Sequence, residues 1–175
     1  MEPLVERSLR VIERGSRSFA LAARIFDRPT REGAILLYAW CRHCDDQIDD
    51  QALGFRRSGL SPASAAERLA VLERETCRAL AGERTEEPAF AALQEVVRRH
   101  GIPRQHPLDL LKGFAMDVEG RGFETLDDCC RYCYHVAGVV GVMMAYVMGA
   151  EGQDTLDRAA DLGIAFQMTN IARDV

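Results

Sequence analysis

Wound as a helix, the stretch Tyr132-Cys133-Tyr134-His135-Val136-Ala137-Gly138-Val139-Val140-Gly141-Val142-Met143-Met144 is apolar nearly all round. A helix with no solvent face has to be enclosed by other helices, so the chain is expected to be a helical bundle with this element at its middle. Thr125 and Asp128 give it a capping-box start, and it is expected to run unbroken to Met148. Gly138, Gly141, Ala145 and Gly149 interrupt its bulk, each glycine at a cost of up to about 1 kcal/mol of helix propensity. Small residues there suit either close helix packing or room for a ligand, and a long apolar ligand would use that room.

Strand-like alternation is almost absent elsewhere, and the rest of the chain reads as helices separated by Gly and Pro. A first helix runs from Pro3 to Arg14 and stops at Gly15. Ser16 or Ser18 caps the next, ahead of Phe19; capping is the plain role, and contact with a diphosphate at the helix start is the sharper one. Thr30, after Pro29, is expected to cap a long helix that ends in an acidic stretch. Residues 51–62 read as a loop whose Arg56-Arg57 is a surface pair or part of a cover over a site. Ser61-Pro62 opens a helix to about Ala81, and Thr85 opens another to His100; both are amphipathic scaffold. A further helix spans Pro107 to Glu119, and Asp154 or Thr155 opens the last. The fold class is therefore all-α, with residues 1–175 as a single domain.

A net charge of -5 offers no basic stripe, which argues against a nucleic-acid partner. No run reaches the roughly 18 apolar residues of a membrane span, and no charged-then-apolar leader follows Met1, so a cytoplasmic location is expected. In that compartment six Cys are reduced thiols. Cys41-x-x-Cys44 and Cys130-x-x-Cys133 imitate a zinc pattern, but both lie in helical segments without turn residues and read as small core residues.

Two polar clusters stand out against this background. Tyr38, Arg42, Asp45 and Asp49 fall at i, i+4, i+7 and i+11, which puts a phenol, a guanidinium and two carboxylates on one helix face. Like charges at that spacing are unfavourable, so a compensating Mg²⁺ with oxygen ligands is the simplest candidate; a solvated acidic helix end is the plain alternative. Gly163, Gln167, Asn170 and Asp174 repeat the spacing near the end of the chain, with Arg173 interleaved. Two such faces opposed across a bundle would make a metal-binding mouth over an apolar interior, suited to an amphiphile with a phosphorylated head and a hydrocarbon tail. A carboxylate-bridged di-metal bundle is set aside because the chain has no Glu-x-x-His pair.

Tyr38-Ala39-Trp40-Cys41-Arg42-His43-Cys44-Asp45-Asp46-Gln47-Ile48-Asp49-Asp50, Tyr132-Cys133-Tyr134-His135-Val136-Ala137-Gly138 and Ala165-Phe166-Gln167-Met168-Thr169-Asn170-Ile171-Ala172-Arg173-Asp174 closely resemble the motifs of bacterial phytoene synthases, in the squalene/phytoene synthase family. The resemblance implies an isoprenoid-synthase-type helical bundle that joins two geranylgeranyl diphosphates head to head into phytoene through prephytoene diphosphate, the first committed step of carotenoid biosynthesis. It implies Asp45 and Asp49 as the first Mg²⁺-binding pair and Asn170 and Asp174 as the start of the second, with Mn²⁺ as an alternative ion and no NADPH. Arg42 and Arg173 would hold diphosphate, with Ser16, Ser18, Tyr38 and Gln167 as further head-group contacts. Phe19, Tyr132, Val136, Ala137, Val140, Gly141 and Phe166 would line the tail channels.

Prenyl diphosphates are thus the expected partners, with peripheral membrane contact for product release. Two alternatives stay open: a squalene-type or diapophytoene-type synthase using farnesyl diphosphate, and a non-catalytic assembly factor on the same fold. The intact Asp45, Asp49, Asn170 and Asp174 argue against the second. Chains of this family continue past the second acidic motif, so this one is expected to be a bundle incomplete at its C-terminus and inactive alone, with the helix from Val136 to Met148 partly uncovered.

Overall fold

The computed structural model describes residues 2–49, 51–52, 55–56, 64–120 and 122–174. Asp50, Arg57 and the expected helix start at Ser61-Pro62 lie outside the described residues, as does the side chain of Arg56. Two compact units divide the chain, Met1–Gly101 and Ile102–Val175.

In the first unit, α1 (Glu2–Gly15) leads through Ser16 into the short α2 (Arg17–Ala22), where the Ser16 hydroxyl accepts a hydrogen bond from the Phe19 N–H at 3.3 Å. A 3₁₀ turn (Ala23–Ile25) follows, then the 21-residue α3 (Arg28–Ile48). Its cap is Asp27 and not Thr30: the Asp27 carboxylate accepts from the Thr30 N–H at 3.3 Å, and Pro29 stands in the first turn, where a missing N–H costs nothing. The segment read as a loop contains a two-residue antiparallel ladder, β1 (Gln51–Ala52) on β2 (Phe55–Arg56), with Gln51 opposite Arg56. The described part of α4 (Ala65–Leu80) starts on a Ser64/Glu67 capping box. Next, α5 (Pro88–His100) begins at Pro88 and not Thr85, and ends on Gly101 in the left-handed conformation (φ 62°).

The helix α3 packs against α1, α4 and α5, so its apolar stripe is covered on three sides. Ile12, Leu36, Trp40, Leu72, Leu93 and Val96 are fully buried there. Two guanidinium contacts fix the ends of α3. Arg99 Nη1 of α5 meets Glu32 Oε2 at 3.0 Å near the start, and Arg68 Nη2 of α4 donates to the Ile48 carbonyl at 3.1 Å at the end. The second satisfies one of the orphan carbonyls that every helix terminus leaves.

In the second unit, α6 (Gln105–Val118) precedes α7 (Leu126–Cys133), whose Thr125/Asp128 capping box is present as the sequence suggests. The expected unbroken helix to Met148 is interrupted. A π turn (Tyr134–Gly138) separates α7 from α8 (Val139–Val147), and α9 (Gln153–Asp174) returns along both. Neighbours account for the widened turn: His135 Nδ1 lies 3.0 Å from the Asp109 carbonyl of α6, and a Cβ built on Gly113 would come within 2.7 Å of Val136. Val139, Val142, Met143, Ala145 and Val147 are buried, while Val136, Val140 and Met144 are half-buried and Met148 is 57% exposed, so the stretch from Val136 to Met148 is partly uncovered, as expected; the exposed large apolar residues of this unit also include Leu162 and Phe166 on α9.

Gly138, Gly141 and Gly163 resolve toward packing, whereas Gly149 stands past the helix end at φ 76° with open space beside it. A Cβ on Gly163 would stand 2.5 Å from the Ala137 carbonyl oxygen, and one on Gly141 would collide with the Ala159 carbonyl. The room those glycines leave is filled by the backbone of the facing helix.

Candidate functional site

The C-terminal half of α3 gathers the first cluster. Arg42 reaches Asp46 Oδ1 through Nη2 at 2.8 Å and Asp45 Oδ2 through Nη1 at 3.2 Å, while its buried Nε has no partner. Asp49 follows as the C-cap, its N–H donating to the Asp45 carbonyl at 3.0 Å, so the turn between the two acids stays helical. Three carboxylates thus crowd the negative end of a helix dipole, the end that disfavours them. Arg42 offsets one charge.

Tyr38 stands one turn before Arg42. Burial pushes its phenol up, Arg42 opposes that, and Asp46 and Asp45 add to it, so the group remains a hydrogen-bond donor at neutral pH. Its ring stacks on Phe19 of α2 (centroids 5.0 Å, planes 25° apart). Gly15 makes room for it, since a Cβ there would lie 2.8 Å from the hydroxyl. Ser16, Phe19 and Tyr38 are therefore brought together at the α2 start, with Ser16 spent on its cap and Ser18 exposed. Burial also pushes the neighbouring Cys41 thiol up to about 12 and Cys44 well above its ordinary value; both are neutral thiols, Cys44 in the core and Cys41 half-buried at its edge, and poor zinc ligands.

On α9 the second cluster faces water. Asn170 Nδ2 donates to Gln167 Oε1 at 3.4 Å, and Arg173 forks onto its neighbour Asp174 at 2.9 and 3.3 Å. That hydrogen-bonded guanidinium holds the Asp174 carboxyl below its usual value. The residues expected along the tail have mixed surroundings. The Tyr132 ring lies 5.0 Å from that of Phe123, Val136 packs toward Gly113, Ala137 toward Gly163 and Gly141 toward Ala159, while Val140 is half-buried and Phe166 is 62% exposed. A 320 Å³ cavity in this unit has a mixed lining, with Ala115, Met116 and Phe123 beside Lys112, Glu119 and Arg131. Asp46 is the residue that sequence reasoning passed over; its i+4 spacing from Arg42 was the available signal.

Among the described residues no three His, Cys, Asp or Glu side chains converge on a metal position. The donors present still fit Mg²⁺: Asp45 and Asp49 are hard oxygen donors one helical turn apart, and Mg²⁺ is commonly held by one or two carboxylates, with water and substrate phosphates completing its shell.

A family model described as squalene/phytoene synthase matches residues 12–175. The chain is 53% identical over 172 residues to a 15-cis-phytoene synthase of Pantoea ananas, covering 98% of this chain and 56% of that protein. It is 54% identical over 175 residues to the 15-cis-phytoene synthase of Paracoccus sp., covering 100% and 57%. The chain spans little more than half the length of these relatives. Among solved structures, a ligand complex of a dehydrosqualene synthase superposes with a TM-score of 0.81 at 28% identity, covering 98% of this chain and 56% of that one. A squalene synthase from Alicyclobacillus acidocaldarius gives the same score at 24% identity, covering 96% and 60%, and shares the fold. With a helical isoprenoid-synthase fold and a family match from residue 12 onward, the chain belongs to the squalene/phytoene synthase family.

Proposed function

We propose that the protein to which this chain belongs condenses two geranylgeranyl diphosphates head to head into phytoene through prephytoene diphosphate, the first committed step of carotenoid biosynthesis. The observation that carries this reading is identity of 53–57% with bacterial phytoene synthases over nearly all of the chain. The continuous match of one family model across both compact units supports treating them as parts of one synthase domain.

In this reading Asp45 and Asp49, and then Asn170 and Asp174, hold Mg²⁺, or Mn²⁺ in its place. Bound there, the ion neutralises charge that develops on the diphosphate leaving group. Arg42 and Arg173 add fixed positive charge beside those ligands, and Tyr38, Ser16, Ser18 and Gln167 offer hydrogen bonds to the head group. Breaking the C–O bond leaves an allylic cation, which an aromatic face attracts by about 0.5–2 kcal/mol without offering a nucleophile. Phe19, Tyr132 and Phe166 supply such faces, and Val136 and Val140 keep the tail dry, whereas Ala137 and Gly141 are spent on contact with α9. The chemistry calls for no NADPH.

The hydrocarbon product also calls for a lipid phase, and we assign peripheral membrane contact to the corner between α2 and α3. Leu21 (65% exposed) and Ile25 (87% exposed) stand there, and Arg24, Arg28 and Arg31 line the adjoining cavity with Glu13 and Glu32, the last paired with Arg28 at 2.8 Å. No helix among the described residues is long and apolar enough to cross a membrane. Sedimentation with phosphatidylglycerol vesicles should fall on Ile25→Asp; unchanged sedimentation would remove this corner from the reading.

The activity itself is tested with the protein extended to the length of its relatives, incubated with Mg²⁺ and either C20 or C15 prenyl diphosphate. Phytoene from the C20 substrate is expected. A C30 hydrocarbon formed in preference would point to the squalene-type or diapophytoene-type reading, and no product from either would favour an assembly factor.

A further inference from the structure

Asp46 is the most deeply placed acid of α3. It is 7% exposed, whereas the Asp45 side chain is 46% exposed and Asp49 stands in solvent. Its carboxylate and the guanidinium of Arg42 form a 2.8 Å pair largely withdrawn from water, and the same guanidinium reaches Asp45 at 3.2 Å. On the α1 side, Asp46 lines a 240 Å³ cavity with Arg7, Ser8 and His43, away from the stripe that carries Asp45 and Asp49.

One positive charge is therefore shared between two carboxylates of unequal burial. The nearer, drier partner takes the larger part, because Coulomb attraction rises as distance and local dielectric fall. Were Asp46 uncharged, the whole guanidinium charge would fall on Asp45, where it would compete with a divalent cation for the carboxylate. We propose that Asp46 is a positioning residue: by holding Arg42 it limits that competition and sets how tightly Asp45 binds a divalent cation. The inference rests on Asp45 being a metal ligand. It assigns Asp46 no contact with the metal.

The experiment titrates Mn²⁺ into the purified protein, extended to the length of its relatives, with inorganic diphosphate present and reads free Mn²⁺ by electron paramagnetic resonance, with circular dichroism as the check on folding. Asp46→Asn should raise the Kd about tenfold. Asp46→Glu, which keeps the charge, should stay near the wild-type value. In an Arg42→Gln background, Asp46→Asn should change nothing further, because the residue through which it acts is gone. An unaltered Kd for a folded Asp46→Asn protein overturns the proposal, and so does a rise of equal size in the Arg42→Gln background, which would make Asp46 a ligand itself. If Asp46→Asn alone fails to fold, Arg42→Gln against Arg42→Gln/Asp46→Asn decides by the same criterion. A wild-type protein that binds no Mn²⁺ overturns the metal reading of Asp45 and this proposal with it.

Discussion

Arg99 holds two acids at once: Glu95 at 2.6 Å on its own helix and Glu32 at 3.0 Å on α3, with its side chain only 16% exposed. Hydrogen bonds from Arg28 and Arg99 hold Glu32 below the ordinary value of 4.5, and those from Arg98 and Arg99 do the same for Glu95. Carboxylates depressed in the folded state contribute stability that is present above the ordinary value and is lost as pH falls through the folded one. Thermal melting should therefore be flat from neutral pH to about 5 and fall below 4.5. Arg99→Met should cost about 2–3 kcal/mol in urea denaturation and flatten the acid limb; an unchanged limb would show that the pairs contribute nothing. On the proposed function, Asp45→Asn in the protein extended to the length of its relatives should lower phytoene turnover by about 10²–10³ with the fold intact, and near-normal turnover at ordinary Mg²⁺ would return α3 to a plain acidic helix end. The face of Tyr38, Arg42, Asp45 and Asp49 was legible because helical spacing alone puts them in register. Asp46 left one local signal, its i+4 spacing from Arg42, but its burial is decided only where α1 covers the neighbouring stripe.

For the elements, legibility follows the range of the interaction that sets each boundary. The caps at Ser16 and Thr125 are local bonds spanning three residues; the second appears as the sequence implies, and the first settles the choice between Ser16 and Ser18. Where several polar residues compete, as Asp27 does with Thr30, the competition is decided by which backbone already points into the turn. The π turn had no signature at all. A helix that is apolar on every side has no amphipathic phase, so one extra residue in a turn shifts nothing that the pattern can register. Gly138 and Gly141 were ambiguous for a related reason, and the α9 backbone resolves them. Gly163→Ala should destabilise the chain by about 1–3 kcal/mol, since the added methyl meets the Ala137 carbonyl and backbone yields less readily than a side-chain tip. Thermal denaturation measures it, and a variant as stable as wild type would mean that the two helices part easily.

For the molecule as a whole, length is the governing fact: its phytoene synthase relatives are nearly twice as long. The 175-residue polypeptide alone is expected to give no extractable C40 hydrocarbon from geranylgeranyl diphosphate and Mg²⁺. It should self-associate through exposed apolar side chains such as Leu162 and Phe166 of α9. Sedimentation velocity and solvent extraction test both; phytoene from a monodisperse short chain would contradict the expectation.

What the residues determined unaided was periodic and local: helix after helix, the two acidic faces, and the motifs that carry the family. Tertiary structure alone decided how those groups are spent. It assigned Gly141 and Gly163 to helix contact, Arg99 to an acid of α3 as well as one on its own helix, and the Tyr38 ring to a stack on Phe19, because each choice depends on an atom supplied by another helix, and sequence spacing carries no information about which partner arrives.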